Sequence, residues 1–297
     1  MTIGKFLLVV VLPSLILLSL IEAVVLSRTK GYDWKALGVS LTNLVARHVV
    51  AVVVPFSIAA PLIAWAWTHR ITTVAMDSWQ AIALLFVGQE FCYYWYHRAS
   101  HRVRWFWANH SVHHSSNQLT LAAAYRISIL GKLAGSVVFF VPLVWLGFAP
   151  QLVVATLSLN LAYQFWIHTE WIPKLGWLEY VLNTPSSHRV HHAANLEYLD
   201  GNYGGVLIVF DRLFGTYIAE RSDLPCRYGL VKPQTSYNPL RVEFTEWLAL
   251  GKDLLRARSP KAVWGCITMP PGWSAVGPGE TTEELRKQAQ QASKTAV

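Results

Sequence analysis

Eight of the eleven histidines in this 297-residue chain fall in three short motifs: His97 and His101 in HRASH, His110, His113 and His114 in HSVHH, and His188, His191 and His192 in HRVHH. An α-helix turns about 100° per residue, so positions i, i+3 and i+4 share a face and each motif is expected to aim its imidazoles at a common point. That is the spacing of metal ligands. A ninth histidine, His168, ends the apolar stretch QFWIHTE. Nine imidazoles are too many for one tetrahedral zinc, and the set predicts two metals sharing a pocket.

The rest of the chain says where that pocket lies. The sequence is 53% hydrophobic and 14% charged, whereas soluble domains are about 25% charged. Apolar runs near the roughly 20 residues that span a bilayer occupy 3–26, 48–67, 78–96, 127–148 and 151–167. The last two are separated only by Ala149 and Pro150, which predicts a tight helical hairpin. The expected fold class is an all-α integral membrane protein with about four to five membrane helices, three spans plus the hairpin, bearing a cytosolic histidine-rich helical cap for two metals. Pro55 and Pro61 should bend the second span. The run 3–26 exceeds the apolar core of a secretory signal and lacks a clean small-x-small cleavage site, so it reads as a first span.

Charge gives the orientation. Arg28, Lys30 and Lys35 lie between the first two spans and Arg98, Arg102 and Arg104 follow the third, which places both segments and every histidine motif on the cytoplasmic side. The N-terminus then lies outside. The formal charge of +8 is scattered among aromatics near span ends, so it reads as attraction to an anionic leaflet and not as a nucleic-acid surface. Four of the fourteen tryptophans, Trp105, Trp107, Trp171 and Trp177, flank the motifs at headgroup level. The three cysteines, Cys92, Cys226 and Cys266, are too dispersed for a disulfide framework or a thiolate metal site.

One integrated unit is expected. Residues 1–77 form a membrane anchor without candidate ligands and 78–220 hold the chemistry. Residues 221–297 form a peripheral cytosolic segment ending in a mobile polar tail, with a helical stretch at 282–293. Three further side chains stand out as candidate catalytic groups. Glu90 precedes His97 and His101 by steps that keep all three within about 60° on a helix, so its carboxylate is expected either behind the imidazoles, as an acceptor of their N–H, or as a ligand. The bland alternative is a carboxylate neutralised at the membrane interface. Asn160 and Gln164 precede His168 at steps of four and form a polar stripe in an otherwise apolar span. His48 and His69 read as structural or interfacial. Gly204 and Gly205 suit a tight turn beside the site, and 211–216 a closing turn.

Imidazole type alone does not choose the metal. A zinc enzyme would leave several histidines unused, whereas two irons use the whole set and leave room for oxygen. A site at the bilayer surface also suits a lipid whose reacting C–H bond has no leaving group and calls for a strong oxidant.

The order HxxxH, HxxHH, HxxHH, with an isolated histidine between the last two, resembles the fatty acid hydroxylase superfamily of membrane-bound non-haem di-iron enzymes, which includes sterol desaturases and C-4 sterol methyl oxidases. The resemblance covers 85–220. With YYWYHRASH, WANHSVHHSS, NTPSSHRVHHAAN, NYGG and DRLFGT it is most similar to the alkylglycerol monooxygenase and bacterial sterol desaturase-like branch. It implies that His97, His101, His110, His113, His114, His188, His191 and His192 ligate two irons, with His168 as the isolated ligand. It also implies O2 as co-substrate and a membrane lipid that is hydroxylated or desaturated. Aspartate often stands where this chain has Glu90, and fatty acid 2-hydroxylases place a histidine near Gln164. No HPGG haem motif, cysteine set or GxGxxG loop is present, so the electrons are expected from a separate donor: a ferredoxin, a cytochrome b5-like protein, a flavoprotein or a pterin reductant. A membrane zinc hydrolase of a lipid amide or ester is the alternative. A metal transporter is disfavoured, because the histidines sit at span ends and line no pore. The C-terminus carries no dilysine signal, so a bacterial inner membrane is expected over endoplasmic reticulum.

Overall fold

The computed structural model describes residues 7–54 and 56–295. Among the described residues there are no strands, only two isolated bridges, Leu182 with Leu207 and Ala193 with Tyr228. A π-helical turn, Leu7–Val11, leads into α1, Leu12–Thr29, whose first turn contains Pro13. A proline there forfeits no hydrogen bond, since the first helical N–H groups have no partner. Gly31, at φ +86°, turns the chain, and the Asp33 carboxylate accepts from Ala36 N at 3.0 Å to start α2, Trp34–Val53. Val9–Thr29 and Trp34–Val53 are the two helices among the described residues that are long and apolar enough to cross a membrane. Leu17, Ile21 and Val25 on the first and Val45, Val49 and Val52 on the second are exposed, as lipid-facing side chains would be.

Two of the expected spans are corrected. The run 48–67 is not one helix: α2 ends at Val53, and Pro61 opens a separate short helix α3, Ala60–Thr68, in its first turn. Pro61 therefore starts a helix where it was expected to bend one; Pro55 and residues 3–6 lie outside the described residues. The run 127–148 is also broken, into α6 (Gly131–Ala134), a 3-10 turn (Ser136–Phe140) and α7 (Val141–Leu146). Gly147 ends it at φ +115°, and a β-carbon there would stand 2.3 Å from the Thr72 carbonyl oxygen. The hairpin thus has one continuous arm only, α8 (Pro150–Ile167).

The helix expected at 78–96 is longer than its apolar run. Ser78 caps α4, Trp79–Arg102, which continues through HRASH and so holds His97 and His101 on a rigid rod. Its apolar side packs Leu85, Cys92 and Tyr93 against Phe140, Leu143, Phe148 and Val153. A second cluster, Ala23, Leu37, Leu44, Tyr125 and Phe165, ties α1 and α2 to α8.

Next come α5 (Arg104–His114), α9 (Pro185–His191) and α10 (Val209–Leu213), followed by α11 (Pro239–Arg256), α12 (Pro260–Thr268) and α13 (Thr282–Thr295). Val112 of α5 is sealed between Val39 of α2 and Val242 of α11. Glu243 enters the same seam, accepting from Ser128 Oγ at 2.5 Å and Asn43 Nδ2 at 3.3 Å. The C-terminal stretch, expected as a mobile tail, lies along the cap: Lys232 pairs with Glu280, Arg102 with Glu283 at 2.5 Å, and Arg286 Nη2 donates to the Leu199 carbonyl at 2.9 Å.

Candidate metal centre

The eight motif histidines and His168 meet, and they divide. His97, His101, His110, His114 and His191 form one set; His113, His168, His188 and His192 form another, and within each set the ligand nitrogens lie within 4.8 Å of one another. The division corrects the expectation that each HxxHH motif aims at one point. On a helix, i+4 lies about 40° to one side of i and i+3 about 60° to the other, so the paired histidines of HH diverge. Accordingly α5 sends His110 and His114 to the first set and His113 to the second, while α9 sends His188 and His192 to the second and His191 to the first. The two sets touch where His114 stacks on His192, ring centroids 4.3 Å apart.

The backbone fixes which nitrogen of several rings can bind. Carbonyl oxygens only accept, so His97 Nδ1–H donates to Tyr203 O (2.9 Å), His191 Nδ1–H to Gly201 O (3.0 Å) and His168 Nδ1–H to Gln164 O (2.6 Å). Their Nε2 lone pairs are thereby left facing the centre. In the four-histidine set, His188 Nε2 stands 2.9 Å from His168 Nε2 and 3.0 Å from His192 Nε2. His168 cannot donate from Nε2, and His188 Nε2 cannot donate to His168 while accepting from His192, so hydrogen bonding cannot satisfy both contacts. In the five-histidine set, His97 and His110 bring their Nε2 atoms to 3.0 Å. The Nε2 atoms of His101, His114 and His191 are buried without a partner among the described residues. A buried lone pair with no donor is costly. A cation in each cage removes both problems, and the all-nitrogen donor set fits a borderline transition metal.

Protonation agrees. Burial, with repulsion from neighbouring imidazoles, holds His110, His114, His188 and His192 well below the ordinary histidine range. Burial, aided by the charge of Arg126 at His113 and by His113 at His191, lowers His113 to about 4 and His191 to about 3 against backbone hydrogen bonds that oppose it. At neutral pH these rings are uncharged, the form that ligates metal.

Glu90, Asn160 and Gln164 lie behind the ligands. Glu90 Oε2 accepts from Val206 N (2.8 Å) and Leu207 N (2.9 Å), and its Oε1 accepts from Asn160 Nδ2. Asn160 Oδ1 accepts from Gln164 Nε2 at 2.5 Å, and Gln164 Oε1 from Tyr93 OH at 3.0 Å. Glu90 therefore meets neither expectation, since its hydrogen-bond partners are amides and not imidazoles. The relay ties α4 and α8 to the loop that orients His97 and His191. Gly205 packs against it so closely that a β-carbon would lie 2.2 Å from Asn160 Nδ2. Gly204 and Gly205 thus serve close approach; neither has a positive φ. His48 and His69 lie outside both sets, each bonded to a carbonyl four residues earlier.

Two organising residues escaped sequence reasoning. Asp211, read only as part of a turn, is fully buried and accepts from Tyr203 N, Gly204 N and Thr216 Oγ1, each at 2.7 Å. It holds the loop whose Tyr203 carbonyl orients His97, and burial pushes its carboxyl up to about 6. Arg189, inside HRVHH, forks onto Glu220 at 2.7 and 2.8 Å and donates to Ile172 O at 2.8 Å, pinning α9. The signal for Arg189 was a charged residue inside a ligand motif, whereas Asp211 gave none. Asp200 and Asn202, at φ +58° and +60°, flank the Gly201 carbonyl; Asn202 holds its strained conformation by bonding Ser187 O and Ile218 O.

A cavity of about 300 Å³ opens onto His101, His114 and His191. Trp107, Leu199, Leu230, Val231 and Leu285 wall it, and 270–272 roof it. The four-histidine set borders none of the principal cavities among the described residues.

Residues 82–216 match the family model described as fatty acid hydroxylase. The chain is 38% identical over 271 residues to alkylglycerol monooxygenase from Homo sapiens, a match covering 90% of this chain and 59% of the human protein. It is 30% identical over 145 residues to an ornithine lipid hydroxylase from Rhizobium tropici, covering 48% and 44%. It is 27% identical over 184 residues to a very-long-chain aldehyde decarbonylase from Oryza sativa subsp. indica, covering 56% and 28%. The chain thus spans less than two thirds of the length of these curated relatives. No solved structure matches it.

Proposed function

The chain carries a fatty acid hydroxylase domain over residues 82–216, and from that premise we propose that it is a membrane-bound di-iron oxygenase that hydroxylates a C–H bond of a membrane lipid. The observation that carries the reading is the division of nine neutral imidazoles into a set of five and a set of four. A single zinc hydrolase needs three or four ligands and would leave the other cage unused.

His97, His101, His110, His114 and His191 would hold one iron and His113, His168, His188 and His192 the other. When bound, the iron pair supplies the O2-dependent oxidation of an unactivated C–H bond. In the overall balance one oxygen atom enters the lipid and the other leaves as water, with two electrons and two protons supplied from outside. The chain's own residues do the rest. The carbonyls of Gly201, Tyr203 and Gln164 keep protons on Nδ1 and so aim Nε2 inward. Trp107, Leu199, Leu230, Val231 and Leu285 exclude water and position an apolar chain beside the five-histidine set. Glu90, Asn160 and Gln164 act as positioning residues, keeping α4 and α8 in register with the ligand-orienting loop.

The name of the Homo sapiens relative points to alkylglycerols, which are ether lipids, as the substrate class, and that of the Rhizobium tropici relative to an ornithine lipid. Hydroxylation is favoured over desaturation because both of those relatives are named as oxygen-inserting enzymes. The electrons would come from a separate donor at the cytoplasmic face of what would be a bacterial inner membrane, an orientation that Arg28, Lys30, Lys35, Arg98, Arg102 and Arg104 support through the positive-inside rule. The test is metal analysis of purified protein with lipid-dependent O2 uptake and lipid mass spectrometry. About two irons per chain and a product heavier by one oxygen are expected. One zinc per chain, with activity that persists without oxygen, would overturn the reading in favour of the hydrolase.

A further inference from the structure

Away from the metal centre, a cleft between α1, α2 and α8 carries an arginine with no counter-charge. Arg47 lies in the second half of the membrane-crossing helix Trp34–Val53 and is exposed, yet among the described residues it has no hydrogen bond or ion pair. Its side chain borders two cavities at once. One, of about 250 Å³, also contains Lys132, Asn109 and Ser128. The other, of about 450 Å³, is bordered by Leu12, Leu15, Leu44 and Phe165. They share Arg47, Ile127 and Leu161; both are mostly apolar, and the first adds a polar corner of Arg47, Lys132, Asn109 and Ser128 to the aliphatic trough of the second.

No carboxylate lines the polar corner itself, where the Ser128 hydroxyl is already given to Glu243 behind it and the free charges are those of Arg47 and Lys132. Lys132 Nζ donates to Ala51 O at 2.8 Å, which fixes the ammonium at the end of α2 and brings a second positive charge. Asn109 is buried, and among the described residues its Oδ1 has no partner; turning the carboxamide over exchanges its O and N and presents Nδ2 as a donor to an anion. A cation within a spanning helix is expensive unless something pairs with it. The adjoining trough has no charged lining except Arg47 itself; its other polar side chains include His48, which is bonded to Leu44 O at 2.8 Å.

We propose that this cleft is a lipid site distinct from the metal centre, taking a single-chain lipid with a phosphate headgroup: the phosphate on Arg47, Lys132 and Asn109, and the chain along Leu12, Leu15, Leu44 and Phe165. Two cations beside an aliphatic trough complement such a lipid at both ends. A neutral lipid would leave Arg47 unpaired, and free phosphate would leave the trough empty.

Binding to the full-length protein in a neutral detergent tests this without any turnover, so its outcome is separate from that of the oxygenase reading. The probes are a palmitoyl lysophosphatidic acid, the monoacylglycerol of equal chain length, and inorganic phosphate, each followed by native mass spectrometry and thermal shift. The charged lipid is expected to bind and stabilise the wild type, with the other two at least tenfold weaker. Arg47→Gln is expected to weaken it at least tenfold, Arg47→Lys less than fivefold, and Leu161→Trp, which fills the junction, at least tenfold. Should Arg47→Gln fail to fold, Leu161→Trp and the probe comparison still decide. Equal binding of the neutral lipid, phosphate binding as tight as the lipid's, or unchanged binding in the variants overturns the proposal.

Discussion

The two histidine sets are chemically alike and spatially unlike. The five-histidine set turns His101, His114 and His191 toward a cavity, whereas the four-histidine set sits among α5, α8 and α9, away from the principal cavities among the described residues. The same imidazole chemistry is thus presented once to an open cavity and once to surrounding protein. Two of the five-histidine ligands, His97 and His191, also hang on carbonyls of one loop, 201–203, while His168 hangs on its own helix. Access and support therefore differ where residue type does not, and under the proposed function access would put the substrate on the five-histidine side.

The largest effects come from removing a ligand on each side. His114→Ala and His188→Ala are each expected to lower activity at least about a hundredfold and to remove one of two bound metals, the first from the open set and the second from the closed one. Metal counting with iron spectroscopy on both variants checks this, and identical spectra would abolish the distinction. Chelation sharpens it further: an added chelator should strip metal in two phases, with the cavity-facing ion released first. A single phase would mean that both ions exchange by one route.

Asp211→Asn comes next. It keeps the shape but weakens three hydrogen bonds to the 203–216 turn, and outer partners of this kind are worth about 10–100-fold in metal affinity or activity. The loss should fall on the five-histidine metal, because the Tyr203 carbonyl serves His97; equal weakening of both metals would contradict that. Leu285→Trp should raise KM about tenfold with little change in metal content, since it narrows the cavity and touches no ligand. The smallest effect is expected from Arg102→Ala. Its partners Asp200 and Glu283 are 16% and 50% exposed, so urea unfolding should register a loss of about 1 kcal/mol or less.

Much of the centre was legible before any coordinates. Eight of the nine candidate ligands stood out because imidazole at i, i+3 and i+4 is a local property of the chain, His168 stood out by its stripe with Asn160 and Gln164, and the all-helical class followed from long apolar runs. The 48–67 and 127–148 runs misled for one reason: hydropathy measures how apolar a stretch is and not whether it is one helix, and Pro61, Pro142, Gly135 and Gly147 divide them where tertiary packing allows a break. Glu90 misled because helical spacing put it on the ligand face, while the nearest unpaired donors were the amides of Val206 and Leu207. Asp211 was invisible because its partners are backbone N–H groups, which every residue but proline carries.

By itself the sequence determined the ligand chemistry: neutral imidazoles, in number enough for two metals, on helices at the ends of apolar runs. Only the tertiary structure decided that they divide into five and four, which set faces the cavity, and which carbonyls hold the rings. The reason is geometric. Ligand identity is written in single side chains, whereas their division depends on how α4, α5 and α9 are rotated about one another, and that rotation is set by packing across the whole domain.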